Sequence, residues 1–202
     1  MAASSSPRPS KQDLSASYGL TIPDLGGAET RILLVGINPS LWSGWSGHHF
    51  ARPGNRLWRT LHQAGLTPTV LSPGDVDGIR AAGLGITNLV ARATARADEL
   101  DDDEIRAGVE PLRRLVRSWL PEIVAFLGIS TYRIAFAAPK TKVGEQAARF
   151  EGARVWVLPN PSGLNAHYQQ PALTTAYADL TETSPLRRDE DNPSPGESDD
   201  DV

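Results

Sequence analysis

The sequence predicts an α/β domain, a three-layer α/β/α arrangement with a central, mainly parallel sheet of four to five strands. Three observations predict it. Apolar runs at residues 31–37, 85–90, 123–128 and 155–159 are short and continuous rather than alternating, as strands covered on both faces are. Segments with apolar residues at helical spacing lie between them. Strand and helix follow each other in turn, an order that favours parallel pairing with helices on both faces.

Residues 1–17 are rich in Ser, Ala and Pro and read as a disordered tail, so the folded domain is expected over residues 18–183. The first strand ends abruptly in Gly36-Ile37-Asn38-Pro39-Ser40, where Gly36 frees the backbone and Asn38-Pro39 turns it. Residues 38–55 then read as one long loop with Trp42, Trp45, His48, His49 and Phe50 in it. A loop of that length inside a domain is usually functional or disordered, and its aromatics argue against disorder. A helix over about 55–64 starts at Asn55 and stops at Gly65. Residues 66–80 are turn-rich, and residues 91–100 read as a polar loop. The acidic run Asp98–Glu104 suits the start of a helix near Asp101, because acids there face the positive end of the helix dipole. That helix is expected to continue to about Trp119. Further helices are expected over about 130–137 and 171–182.

Composition narrows the chemistry. The chain has 202 residues and no cysteine, which excludes disulfides, thiolate catalysis and Cys-based zinc sites. Two adjacent histidines with no third ligand do not make a metal site, so none is expected. No segment reads as a signal peptide or a membrane span, so no membrane partner and a cytoplasmic location (nucleoid-associated in a bacterium) are expected. The formal charge of −4 is uneven. Residues 184–202, read as a disordered acidic tail, hold seven acids against Arg187 and Arg188; residues 1–17 carry a small positive excess, and the domain between is neutral. A neutral body can still present a local basic face, so the overall charge does not exclude nucleic acid.

Two strands end alike, in Asn38-Pro39-Ser40-Leu41 and in Asn160-Pro161-Ser162-Gly163-Leu164. In a parallel sheet both ends emerge at the same edge, which places Asn38 and Asn160 across one cleft. Asn-Pro-Ser alone is an ordinary turn; two copies at strand ends, the first opening an aromatic loop, point to a site.

Gly36-Ile37-Asn38-Pro39, Gly47-His48-His49-Phe50, Pro53-Gly54-Asn55-Arg56-Leu57-Trp58, Gly85-Ile86-Thr87-Asn88-Leu89-Val90 and Asn160-Pro161-Ser162-Gly163-Leu164 occur in that order. In these five blocks the chain resembles the mismatch-specific uracil/thymine DNA glycosylase family, within the uracil-DNA glycosylase superfamily. The resemblance runs from about Arg31 to Leu180. It implies a cofactor-free, monomeric, monofunctional glycosylase. Its expected partner is double-stranded DNA with G·U or G·T-type mismatches, from which it flips a uracil, or a thymine or modified pyrimidine, and leaves an abasic site.

The resemblance also implies roles. Asn38 holds a water below C1′ and Asn160 completes the grip. Backbone N–H groups near Ile37 and Phe50 hold the base oxygens. Phe50 stacks on the flipped base, and Asn88 reads its edge. Leu164 is the wedge that fills the hole, with Ser162 and Gly163 near the orphaned guanine. Ser40, Ser43, Arg52, Arg56 and His167 are candidates for DNA phosphate contacts. Ser40 stands where many relatives have glycine, and Trp42 and Trp45 are unusually bulky. An amide in place of a carboxylate leaves a second reading open, a damage-sensing module that binds mismatched DNA and cleaves weakly. The absence of phosphate-binding glycine motifs weighs against a nucleotide-binding domain.

Overall fold

The computed structural model describes residues 8–163 and 165–183. Five strands form one sheet: β1 (Ile32–Gly36), β2 (Leu84–Asn88), β3 (Ile123–Leu127), β4 (Gly144–Phe150) and β5 (Ala153–Leu158). Their order across the sheet is β2-β1-β3-β5-β4. The first four in that order are parallel, and β4 alone runs antiparallel, on β5.

Eight helices accompany them among the described residues: α1 (Lys11–Ala16), α2 (Leu41–Ser46), α3 (Leu57–Gln63), α4 (Val76–Ala81), α5 (Asp102–Ala107), α6 (Val109–Trp119), α7 (Ile129–Ala135) and α8 (Gln170–Thr183). This is the expected three-layer architecture. The side chains of each central strand divide between two cores, as strand geometry requires. Ile32, Leu34, Ile123, Ala125, Trp156 and Leu158 face a core completed by α3, α4 and α8, through Leu57, Leu61, Ile79, Leu173 and Tyr177. Leu33, Val35, Val124, Phe126, Val155 and Val157 face a second core under α6 and α7, with Leu112, Val116 and Tyr132. Each of these fully buried aliphatic side chains contributes about 1.5–3 kcal/mol of transfer free energy. The continuous apolar runs therefore reflect two wet-free faces.

Five features differ from the sequence expectation. The tail expected to be disordered through residue 17 contains α1, closed by a capping box between Ser10 and Asp13. Gly19 and Leu20 then pair with Ala93, so the chain from Ser17 onward is strapped to the domain. The 38–55 loop contains α2, capped by the Ser40 side chain and ended by Gly47 at φ 73°. The turn-rich 66–80 stretch contains most of α4, which Asp75 caps. The helix expected over 101–119 is two helices that meet at Gly108. A Cβ there would sit 2.1 Å from the Leu89 carbonyl oxygen, so only glycine lets the chain pass that close to the end of β2. Strand β4 brings the sheet to the upper end of the four to five strands expected, but no sequence run marked its place.

Because β2 lies on one side of β1 and β3 on the other, the chain order reverses at β1. Crevices open at the carboxyl ends of strands at such a point. Gly36 and Asn88 are register partners at the ends of β1 and β2.

Candidate active site

A cleft of about 610 Å³ opens there. Strand ends build its floor: Ile37 and Asn38 after β1, Asn88 at the end of β2, Gly128 after β3 and Asn160 after β5. Asn38 and Asn160 do line one cleft, as the repeated Asn-Pro-Ser punctuation implies.

The Asn38 amide has a fixed orientation. Its Nδ2 donates to the Arg92 carbonyl at 3.0 Å and to Thr94 Oγ1 at 2.7 Å. Thr94 spends its own hydroxyl hydrogen on the Arg96 carbonyl at 2.7 Å, so toward Asn38 it is an acceptor. Both neighbours are acceptors, and the NH₂ end must face them. Oδ1 is the atom of this amide left for anything in the cleft. Thr94 is 1% exposed. It stands in the 91–100 stretch, which reads only as a polar loop, and no local pattern marks it or Arg92 as support for Asn38.

Asn160 is arranged the opposite way. Its Oδ1 accepts the Ser162 N–H at 2.9 Å in an Asx-turn, and its backbone carbonyl accepts from Asn165 Nδ2. Nδ2 is the end it offers to the cleft. The two asparagines thus present one acceptor and one donor.

Asn88 Nδ2 lies 3.2 Å from His49 Nδ1, and His49 Nε2 lies 3.0 Å from the Pro23 carbonyl. A carbonyl only accepts, so the hydrogen sits on Nε2, and Nδ1 accepts from Asn88. His49 is 5% exposed. Burial pushes its imidazole below the usual value near 6.5, against the opposing pull of the Pro23 carbonyl and the Asp24 charge. The Asn88 side-chain oxygen, Oδ1, packs against Gly36, where a Cβ would come within 2.4 Å of it and 3.1 Å of the Phe50 ring. His48 turns away, toward Gly74, and is not part of the floor.

Phe50 borders the cleft half-buried, with φ at 52°, a left-handed conformation unusual for an aromatic residue. The surrounding loop holds it there: the Phe50 carbonyl accepts from Trp58 Nε1 and the next N–H, of Ala51, donates to Ser43 Oγ at 3.4 Å. Among the described residues the Ile37 N–H has no protein acceptor, whereas the Ile37 carbonyl takes the Val90 N–H.

Three of the expected phosphate ligands are otherwise engaged. Arg56 is a clamp. Its guanidinium donates to the carbonyls of Pro161, Ser162, Asn165 and Tyr168, at 3.4, 2.6, 3.0 and 2.6 Å, and its backbone N–H also reaches Pro161. A cation over four carbonyls binds the Asn160 loop to the start of α3. Ser43 is 2% exposed, and its oxygen accepts from Ala51 as a brace. Ser40 caps α2 by accepting the Ser43 N–H, although it still borders the cleft. Arg52 and His167 remain exposed at the rim. Exposed Arg96 joins them there, paired with Asp98. Gly163 is small for a packing reason: a Cβ would stand 2.8 Å from the Gly54 carbonyl, where the two loops touch. Leu164, the expected wedge, lies outside the described residues. Trp42 and Trp45 meet edge to face on α2, with ring centres 6.2 Å apart, and neither borders the cleft.

Comparison with known proteins bears on the fold and the family. A solution NMR structure of a candidate uracil DNA glycosylase from Methanosarcina acetivorans has a similar fold, with a TM-score of 0.58 at 19% identity; the match covers 81% of this chain and 97% of that one. The model of the uracil DNA glycosylase superfamily matches residues 23–181, a span that holds both Asn-Pro-Ser strand ends, Asn88 and the clamp. The chain therefore belongs to the uracil DNA glycosylase superfamily.

Proposed function

We propose that this protein is a monofunctional, mismatch-directed DNA glycosylase that excises uracil opposite guanine and leaves an abasic site. The observation that carries the reading is the pair of fixed amides, Asn38 with its oxygen free and Asn160 with its nitrogen free, beside a pocket floored by Asn88 and Gly36. The nucleotide must leave the stack to reach them.

Asn88, with one Nδ2 hydrogen held by His49, offers Oδ1 to the N3–H of uracil and its second Nδ2 hydrogen to a carbonyl oxygen. Phe50 stacks on the ring, a contact worth about 1–3 kcal/mol. Water donates one hydrogen to Asn38 Oδ1 and accepts from Asn160 Nδ2, which leaves a lone pair for C1′. An amide is not a base at neutral pH, so Asn38 orients the water and takes no proton. The N1–C1′ bond breaks with its electron pair going to the pyrimidine, and the sugar gains oxocarbenium character. The Ile37 N–H stabilises the departing anion. Water oxygen then bonds to C1′, and its proton passes to the base or to solvent. Arg52 and His167 at the rim contact phosphate, and Leu164 fills the vacated stack.

The test is a duplex with one G·U pair. The wild type should produce an alkali-labile abasic site, and Asn38→Ala should lose that activity while keeping its circular-dichroism spectrum. Tight G·U binding with no product on long incubation would favour the damage-sensing module instead.

A further inference from the structure

Half of the acids in the run at 98–104 serve α5. Asp101 caps α5 through the Glu104 N–H at 2.7 Å, and Asp102 and Asp103 pair with Arg106 a turn later. Glu104 does something different. Its carboxylate grips Arg92 as a fork, with Nε to Oε1 at 2.5 Å and Nη2 to Oε2 at 2.7 Å. Nη2 also donates to the Glu99 carbonyl, and Nη1 approaches the Tyr18 hydroxyl at 3.4 Å. The two side chains are only 31% and 26% exposed.

The backbone of Arg92 carries one of the two acceptors that orient the Asn38 amide. The neighbouring residues are tied as well: Ala93 donates to Leu20, and Thr94 donates to Pro39. We infer that Arg92, held by Glu104, is a positioning residue that acts through Asn38: the ion pair fixes the stretch whose Arg92 carbonyl and Thr94 hydroxyl point the amide oxygen at the water. A two-point arginine–carboxylate contact fixes direction as well as distance, which a single charge does not. If the carbonyl drifts, the Asn38 amide loses its reason to face one way, and a rotated amide presents hydrogens where the water needs an acceptor.

The inference rests on the glycosylase reading, and the experiment separates the two. Single-turnover excision from a G·U duplex is measured for wild type, Arg92→Gln, Arg92→Lys, Glu104→Gln and the Arg92→Gln/Glu104→Gln double variant. Affinity is measured with the same duplex carrying 2′-fluoro-deoxyuridine, whose electron-poor sugar resists cleavage. The expected result is a rate loss on the order of tenfold to a hundredfold in Arg92→Gln and Glu104→Gln, with DNA affinity within about twofold of wild type. The double variant should be no slower than the worse single, because both remove one contact. Arg92→Lys should fall between, and it carries the test if Arg92→Gln fails to fold. An unchanged rate, a rate loss matched by weaker DNA binding, or multiplicative losses in the double variant would overturn the inference. A wild type that releases no uracil overturns the glycosylase reading itself.

Discussion

Asn88 donates through Nδ2 to His49 Nδ1 at 3.2 Å, and that contact exists only while the imidazole is neutral. Protonation would put a hydrogen on Nδ1 opposite the amide hydrogens. The Asn88 side chain would then have to rotate, exchanging its oxygen and nitrogen toward the base. Below the usual histidine range the excision rate should therefore fall, and Asn88→Ala at neutral pH should lose about ten- to hundredfold, roughly one hydrogen bond to the reacting base. A flat rate from neutral to acid pH would remove His49 from this role.

The same burial makes a prediction about stability. In the folded state His49 is held below its unfolded value near 6.5. The unfolded chain therefore takes up a proton first as the pH falls. This contribution to stability is complete above about pH 6.5 and is lost as the pH drops below it. Urea midpoints measured from pH 7.5 to 5 should decline, and His49→Gln should flatten that part of the decline.

Gly36→Ala isolates the pocket from the rest of the fold. The added methyl would meet Asn88 Oδ1 and the Phe50 ring, both of which border the cleft. Excision should drop by at least a hundredfold, while melting falls by no more than the 1–3 kcal/mol typical of overpacking. Gly108→Ala should do the reverse. Its methyl would strike the Leu89 carbonyl, far from Asn38 in role, and should cost stability at similar magnitude with a smaller effect on excision.

Arg52 and Arg56 should separate in the laboratory although four residues apart. Arg52→Ala should weaken DNA binding and reduce the slope of log affinity against log salt by about one, as expected for one phosphate contact. Arg56→Met should leave the slope alone and destabilise the fold by about 2–4 kcal/mol, since it strips a charged donor from several partly buried carbonyls. Calorimetry and a salt titration of binding check the pair.

The parts of the fold visible in the sequence are those decided by local composition. Strands β1, β2, β3 and β5 are apolar runs because both faces are covered, and α3 and α8 carry their apolar residues at helical spacing. Strand β4 reads Gly-Glu-Gln-Ala-Ala-Arg-Phe, mostly exposed and without β-branched residues; it is a strand because β5 offers it an edge. The break at Gly108 was equally hidden, since the obstacle is a carbonyl from another element. In the site, the two asparagines were legible because the same Asn-Pro-Ser sequence follows two strands. Thr94 and Arg92 were not, because their value lies in two contacts to a side chain more than fifty residues earlier. Arg56 reads as a surface cation in a loop of DNA-binding character, and nothing near it in sequence reveals carbonyls more than a hundred residues away.

The Arg56 clamp has a mechanical consequence. It welds the turn after β5 to the start of α3, and Tyr177 on α8 adds a rivet to that turn by donating to the Pro159 carbonyl at 3.0 Å. The Asn160 loop and the start of α3 are thereby held as one piece. The protein meets its substrate as a stiff die, and the bending and opening needed for a base to enter fall on the nucleic acid.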